Sequence, residues 1–182
     1  DSIPSLHICG QVNTYEQQSS NKSTLKVRQV GFQETDIVNI SKPITKFSYK
    51  INKASEIRYI LEKSYHIAST GRPGPVLLDI PMDLQRVKIN PKKLRSFKPK
   101  IFKNKNLKNK IKLIIEKINK AERPIIILGG GIKYARAEKF LNKFIRTFNI
   151  PFVTTWSGVD LIDHSNKKYI GNIGVYGSRA AN

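Results

Sequence analysis

The stretch between residues 52 and 81 constrains the fold of this chain more than any other. A helix is predicted over Asn52–Gly71, capped by Asn52 and closed by Gly71, because its apolar residues share one face. These residues are Ile57, Ile60, Leu61, Tyr65 and Ala68. The run Pro75-Val76-Leu77-Leu78-Asp79-Ile80-Pro81 follows at once, and it is typical of a strand buried on both faces. A helix that leads into such a strand indicates a parallel βαβ arrangement.

The same alternation recurs in the second half of the chain. A helical apolar stripe over Leu107–Ile118 precedes a buried-strand pattern at Pro124–Leu128. A helix is then predicted through Phe148, followed by a strand at Ile150–Thr155, and an earlier strand is predicted at Ile3–Cys9. The predicted fold class is α/β, with two incomplete parallel-sheet (Rossmann-like) units joined by a basic linker.

The linker is predicted from charge and proline content. The chain has 33 Lys and Arg against 13 Asp and Glu, a net charge of +20, and the excess is densest between Arg86 and Lys120. Pro91 and Pro99 in that stretch favour an exposed inter-domain linker at residues 89–102. Aromatic residues are sparse there, which argues against base stacking on nucleic acid. A basic nucleic-acid-binding protein remains the alternative from a different functional class.

Several features argue for a soluble enzyme subunit in a reducing compartment. No stretch approaches the roughly 18–20 apolar residues of a membrane span, and no leader pattern precedes the fold. Cys9 is the only cysteine, which rules out an intrachain disulfide and a zinc cluster built on cysteines. The three histidines show no metal-ligand spacing, so no metal site is expected within the chain.

Two glycine-rich turns could hold phosphate. Gly129-Gly130-Gly131 lies between a predicted strand and a predicted helix, where bare backbone lets a phosphate approach the helix N-terminus. Tyr134 stands where the dinucleotide fingerprint would end in glycine or alanine, so a tight turn without ligand is equally compatible. Gly71-Arg72-Pro73-Gly74-Pro75 places an arginine fork in a rigid turn. An exposed arginine beyond a capped helix is the alternative there.

An ordered set of strings resembles the thiamine diphosphate-dependent acetolactate synthase large-subunit family across essentially the whole chain. These strings are Gly10-Gln11-Val12, Gly31–Val38, Pro43–Lys46, Ser69–Pro81 and Arg123–Gly131. The resemblance implies decarboxylation of a 2-oxo acid such as pyruvate and transfer of the two-carbon unit to an acceptor, in branched-chain amino-acid biosynthesis. It also implies thiamine diphosphate, Mg²⁺ and FAD as cofactors, a homodimer or homotetramer, and a cytoplasmic location without nucleic-acid or membrane partners.

The resemblance also assigns the segments. Residues 1–88 are similar to the C-terminal half of the pyrimidine-binding domain, and residues 103–182 to the N-terminal half of the central, FAD-binding domain. Phe32 and Gln33 match residues that line the active-site channel. The positions that match FAD-cradling residues are Arg72, Gly130, Gly131, Thr155, Trp156, Ser157, Val175 and Tyr176.

The family's cofactor-activating glutamate precedes Asp1 in this resemblance, and its Gly-Asp-Gly…Asn metal and diphosphate motif follows Asn182. No catalytic residue is therefore expected within the chain, and the segment alone is not expected to be active. Asn13, Met82 and Tyr176 depart from the family's usual proline, lysine and histidine. These departures favour a second hypothesis, a related thiamine diphosphate enzyme with a different substrate, as in surface-sugar pathways.

Overall fold

A computed structural model describes residues 2–18, 27, 29–100 and 106–182 of the chain. The chain divides into two compact units, Asp1–Ile101 and Phe102–Asn182. Each unit contains a three-stranded sheet in which every paired strand is parallel. The predicted fold class, two parallel-sheet α/β units, is confirmed.

The first unit is built around a central strand. Its elements are β1 (Ser5–Gln11), α1 (Ile37–Ser41), β2 (Phe47–Lys50), α2 (Ile57–Ser69), β3 (Pro75–Pro81) and α3 (Met82–Gln85). The strand order is β1-β3-β2. Residues 76–79 of β3 are all buried, as expected for a strand flanked on both edges. The core joins the sheet to α2 through Ile51, Ile60 and Leu78. The run bounded by prolines was therefore predicted with its correct ends.

The predicted Asn52 cap of this helix is wrong. A 3-10 turn at Ala54–Glu56 comes first, and α2 begins at Ile57. The Glu56 carboxylate accepts hydrogen bonds from the backbone N–H groups of Asn52 and Lys53, at 2.6 and 3.3 Å. The Asn52 amide instead donates to the Lys50 carbonyl at 3.0 Å. The Glu56 side chain thus reaches back to backbone donors before the helix, as the third residue of a capping box does, and the Asn52 side chain is not the cap.

Part of the predicted linker is strapped to α2. The Arg58 guanidinium donates to the Pro91 carbonyl at 2.9 Å, and the Glu62 carboxylate accepts from the Phe97 N–H at 2.6 Å. Arg58 and Glu62 also pair with each other at 2.9 Å. The Phe97 ring lies 5.5 Å from the ring of Tyr59, edge to face. Residues 90–97 are therefore held on the first unit, whereas residues 101 and 102 of the predicted linker lie outside the described residues.

Replacing Arg58 by alanine is expected to release this strap. The variant removes the guanidinium that binds both the strap carbonyl and Glu62, so residues 90–97 should open more often and be cleaved roughly severalfold faster by chymotrypsin near Phe97. Arg86→Ala, an exposed arginine outside the strap contacts, serves as the control. Equal cleavage of wild type and Arg58→Ala would argue that the strap is not held by these bonds.

The second unit repeats the α/β plan. Its elements are α4 (Leu107–Lys120), β4 (Ile126–Leu128), α5 (Gly131–Tyr134), α6 (Glu138–Phe148), β5 (Phe152–Thr154) and β6 (Tyr169–Asn172). The strand order is β4-β5-β6. Its core packs α6 against the sheet through Leu128, Leu141, Ile145 and Phe152, together with Ile162.

The single helix predicted to run to Phe148 is two helices. Arg136 adopts a left-handed φ of 52°, which ends the first helix one turn after Gly131. A second helix begins at Glu138 and ends at Phe148, and Asn149 after it is itself left-handed with φ 49°. The helix that begins at Gly131, the last glycine of the triplet, therefore has only four residues. The summed backbone dipole at its N-terminus is correspondingly small.

In the described ranges no helix has the length and apolar character needed to cross a membrane. The same residues include no group of three or more His, Cys, Asp or Glu side chains that could hold a metal ion.

Candidate functional site

A cleft of about 610 Å³ opens in the first unit at the carboxyl ends of β1 and β3. This is the edge of a parallel sheet at which ligands bind in open α/β folds. Its walls come from the segments that follow β1, from the turn after residue 30, and from α3. The lining residues are Gly10, Gln11, Val12, Asn13, Glu16, Phe32, Gln33, Met82 and Gln85.

The two predicted channel residues lie in the wall of this cleft. Phe32 presents an aromatic ring that is 87% exposed. Gln33 adopts a left-handed backbone with φ 70°, which is uncommon for a residue other than glycine. Strained residues of this kind cluster at ligand sites and persist where their surroundings hold them. The structure thus brings Phe32 and Gln33 together at an open cleft, and their role as channel residues stays a prediction.

Glu34 holds the turn that carries these residues. Its carboxylate accepts hydrogen bonds from the N–H groups of Gln18 at 2.6 Å, Val30 at 3.0 Å and Gly31 at 3.4 Å. Desolvation acts to raise the pKa of Glu34, but these backbone donors and the nearby Lys50 charge outweigh it, so the pKa is lowered. Glu34 is therefore ionised at neutral pH and acts as a clamp rather than as an acid.

Gly31 leaves no room for a side chain in the same turn. A Cβ there would lie 2.8 Å from the Glu16 carbonyl oxygen and 3.0 Å from a Val12 methyl carbon. The backbone of the turn therefore packs directly on the segment that follows β1. This close packing constrains the position of the neighbouring Phe32 at the cleft.

A partly buried network of polar side chains connects the cleft lining to the sheet. The Gln11 amide donates to the Thr35 carbonyl at 2.7 Å and to the Asp79 carboxylate at 3.1 Å. Lys50 donates to the buried Gln17 side chain at 2.7 Å, and that amide donates in turn to the Val12 carbonyl at 3.1 Å. The network ties β1, β2 and β3 to the two cleft-forming segments.

Asp79 has the opposite electrostatic setting to Glu34. Its side chain is buried, and desolvation raises its pKa; the Gln11 hydrogen bond and the Lys50 charge act the other way, while Asp36 adds to the rise. The charged form of Asp79 is thus disfavoured in the folded state. Asp79 was not predicted from the sequence as a site residue. A carboxylate within an otherwise apolar strand is nevertheless a recognisable sign of a buried polar contact.

In the second unit, most of the predicted flavin residues meet at the carboxyl edge of the sheet. β4 ends at Leu128, paired with Thr154 at the end of β5, which pairs with Asn172 at the end of β6. The segments that follow these three strands carry the predicted residues. These are Gly130 and Gly131 after β4, Thr155, Trp156 and Ser157 after β5, and Val175 and Tyr176 after β6.

The first two segments are in close contact. The Thr155 N–H donates to the Leu128 carbonyl at 2.8 Å. A Cβ on Gly130 would lie 3.0 Å from the Ser157 hydroxyl oxygen, whereas a Cβ on Gly131 would meet nothing within 4 Å. Gly130 therefore permits a close approach of the segments that follow β4 and β5, and Gly131 leaves backbone open to a ligand.

An exposed aromatic pair joins the second and third segments. The rings of Trp156 and Tyr176 lie 5.6 Å apart in an edge-to-face arrangement and are 72% and 82% exposed. Neighbouring Val175 is 93% exposed. Large apolar surfaces at the carboxyl edge of a parallel sheet suit a planar, partly apolar ligand.

Arg72 lies elsewhere, on the first unit. It lines a shallow depression of about 490 Å³ beside Lys46 and the Pro43–Thr45 segment. Its guanidinium donates to the Ser2 hydroxyl at 2.6 Å. The described contacts thus collect seven of the eight predicted flavin residues on one unit and place Arg72 on the other.

Comparison with known proteins bears on both units. Residues 111–182 match the sequence profile described as "Thiamine pyrophosphate enzyme, central domain". Over the whole chain, the protein is 33% identical to the acetolactate synthase large subunit of Lactococcus lactis and 33% identical to that of Haemophilus influenzae. The probable acetolactate synthase large subunit of Methanocaldococcus jannaschii is also 33% identical.

The chain is similar to acetolactate synthase large subunits along its whole length. It spans about 30% of the length of these relatives, with all of its own residues covered. Both structural units are therefore covered by acetolactate synthase relatives, and the second also by the thiamine pyrophosphate enzyme profile. The resemblance predicted from the ordered strings is confirmed.

Proposed function

We propose that the complete gene product is a thiamine diphosphate-dependent carboligase that acts as an acetolactate synthase. It decarboxylates a 2-oxo acid such as pyruvate and joins the two-carbon unit to a second molecule. The observation that carries this proposal is the similarity to acetolactate synthase large subunits along the entire chain. Thiamine diphosphate, when bound, supplies the carbanion chemistry of the reaction.

The two units support separate parts of this function. Residues 1–88 are proposed to be the C-terminal half of the pyrimidine-binding domain, residues 89–102 the linker, and residues 103–182 the N-terminal half of the central domain. The profile match at residues 111–182 supports the last assignment. Phe32 and Gln33 would line the path to the cofactor. The ligands of Mg²⁺ are expected in other parts of the gene product, and the assembly is proposed to be a cytoplasmic homodimer or homotetramer.

FAD is proposed at the carboxyl edge of the second sheet. The open backbone at Gly131 can accept a phosphate, and the exposed Trp156–Tyr176 pair can contact a planar ring. The four-residue helix after Gly131 offers little dipole, so backbone N–H groups rather than a helix end would bind the phosphate. The residues present therefore fit the flavin.

An assay of the complete gene product tests the proposed reaction. With thiamine diphosphate, Mg²⁺ and FAD, the protein should convert pyruvate to acetolactate, and omission of thiamine diphosphate should abolish turnover. A purified protein that binds thiamine diphosphate but forms no acetolactate would exclude pyruvate as the acceptor. A protein that binds no thiamine diphosphate would reject the carboligase assignment.

A related enzyme with another acceptor is the second candidate. Asn13 and Met82 line the cleft beside Phe32, and among the described residues no cationic side chain lines it. A cleft without a fixed positive charge offers no partner to the carboxylate of a second 2-oxo acid. A neutral aldehyde should then exceed pyruvate as acceptor in kcat/KM, whereas a preference for pyruvate would favour the acetolactate reaction.

A further inference from the structure

Asp79 is a buried carboxylate that lies outside the cleft lining. It lies in β3, is 1% exposed, and one of its two carboxylate oxygens, Oδ1, has no hydrogen-bond partner. Burying a carboxylate oxygen without a donor is unfavourable. A buried carboxylate at such a position is explained when its other oxygen, Oδ2, accepts a hydrogen bond that an apolar side chain could not accept.

That other oxygen orients the Gln11 carboxamide. Gln11 Nε2 carries two hydrogens, and it donates one to Asp79 Oδ2 at 3.1 Å and the other to the Thr35 carbonyl at 2.7 Å. Gln11 Oε1 accepts from the Val12 N–H at 3.1 Å. The reverse orientation of the amide would point its oxygen at two acceptors, so the Asp79 carboxylate and the Thr35 carbonyl together select the orientation observed.

Thr35 ends the turn that forms the cleft wall. It follows Gln33, which holds a left-handed backbone, and Asp36 then caps α1 by accepting from the Asn39 N–H at 3.2 Å. The turn is thus held at its start by Glu34 and at its end by Gln11. The second of these contacts is made by the same Gln11 amide nitrogen that donates to Asp79.

We propose that Asp79 is a positioning residue that acts through Gln11 to hold the turn of residues 31–35, and with it Phe32 and Gln33, over the cleft. The consequence for catalysis rests on the proposed function, whereas the holding of the turn does not. In this role Asp79 acts only through Gln11, since it lies outside the cleft lining and is not proposed to contact substrate or cofactor.

The electrostatics predict a distinct pH signature. The groups that face Asp79 are Lys50 on β2, Asp36 at the start of α1 and the neutral Gln11 on β1. Because burial raises the pKa of Asp79 in the folded state, the folded protein holds its proton to higher pH than the unfolded chain does. Ionised Asp79 should therefore lower the free energy of unfolding at neutral pH. As the pH falls through the raised folded-state pKa, Asp79 takes up a proton and this loss of stability should progressively disappear. Asp79→Asn should lack this component.

Hydrogen exchange in the complete gene product tests the proposal. In Asp79→Leu, the amides of Val30, Gly31 and Glu34 should exchange about fivefold faster, the effect of one net hydrogen bond. The unfolding midpoint should be unchanged or higher, because the buried charge is gone. Asp79→Asn keeps an acceptor for Gln11, so its exchange should remain near that of wild type. Asp160→Asn, an exposed carboxylate on the second unit, is the control.

Unchanged exchange of these amides in Asp79→Leu would overturn the proposal. A uniform rise throughout the first unit, with a lower unfolding midpoint, would also overturn it, because Asp79 would then only stabilise the fold. If Asp79→Leu does not fold, Gln11→Met carries the same test, since it removes the donor and leaves the carboxylate.

Activity separates this inference from the proposed function. If the wild-type protein forms acetolactate, Asp79→Leu should lower kcat/KM by about the same factor by which it raises the amide exchange rate of the turn. Asp79→Asn should have a kcat/KM near that of wild type. Faster exchange in the variant, together with a wild type that forms no acetolactate, would reject the proposed function and support the positioning role. Unchanged exchange with active wild type would reject the positioning role alone.

Discussion

Replacing Gly158 by alanine is expected to destabilise the second unit by about 1–3 kcal/mol, the range for inserting a carbon into a packed site. A Cβ at this buried position would lie 2.6 Å from the Leu128 carbonyl oxygen and 3.2 Å from the Gly129 Cα. Both contacts are with backbone, which cannot rotate away as a side chain can. The segment after β5 must therefore move off β4, and Trp156 and Ser157 move with it.

Gly131→Ala is the matched control for this variant. It changes glycine to alanine at the same edge of the same sheet, but the added Cβ would meet no atom within 4 Å. Gly131 begins α5, so alanine there should be neutral or stabilise by up to about 1 kcal/mol. Thermal unfolding of the complete gene product measures both variants. Equal unfolding temperatures would show that the Gly158 backbone does not approach Leu128 in the folded protein.

If Arg72 binds FAD, as the resemblance implies, replacing it by alanine should weaken FAD retention by about tenfold or more, the loss of a charge-assisted hydrogen bond to phosphate. The guanidinium is a planar fork, and the described structure gives its Nε only the exposed Ser2 hydroxyl as partner. The ratio of flavin to protein after gel filtration, followed by a fluorescence titration with FAD, measures the effect. Protein stability should change little, because Arg72 is exposed.

Two further variants make the Arg72 result interpretable. Arg72→Lys keeps the charge but not the fork, and it should fall between wild type and Arg72→Ala. Arg95→Ala removes an exposed arginine that lies over the Tyr59 ring, and it should retain flavin fully. Unchanged flavin content in Arg72→Ala would reject the assignment of Arg72 as an FAD-binding residue.

The strands that the sequence predicted are those with strong local patterns. The apolar run of β3 lies between prolines, so both its burial and its ends could be predicted. β2 and β6, of four residues each, were not predicted, because neither lies in an apolar run such as those that contain β4 and β5, and β6 includes Gly171 with a register shift opposite β5. Strands this short depend on their neighbours for stability, and their neighbours are distant in sequence.

The candidate sites divide in the same way. The ordered strings predicted the family and the residues at the two sheet edges, because motif residues and their order are properties of the sequence itself. Which of those residues come together depended on strand pairing: parallel register brought seven predicted flavin residues to one edge and left Arg72 on the other unit. The tertiary structure alone revealed the Asp79–Gln11–Thr35 contacts, since these residues are far apart in the chain; the pairing of β1 with β3 brings Gln11 to Asp79, and the turn before α1 brings Thr35 to Gln11. Local pattern thus determined the elements and the family, whereas long-range pairing determined the sites.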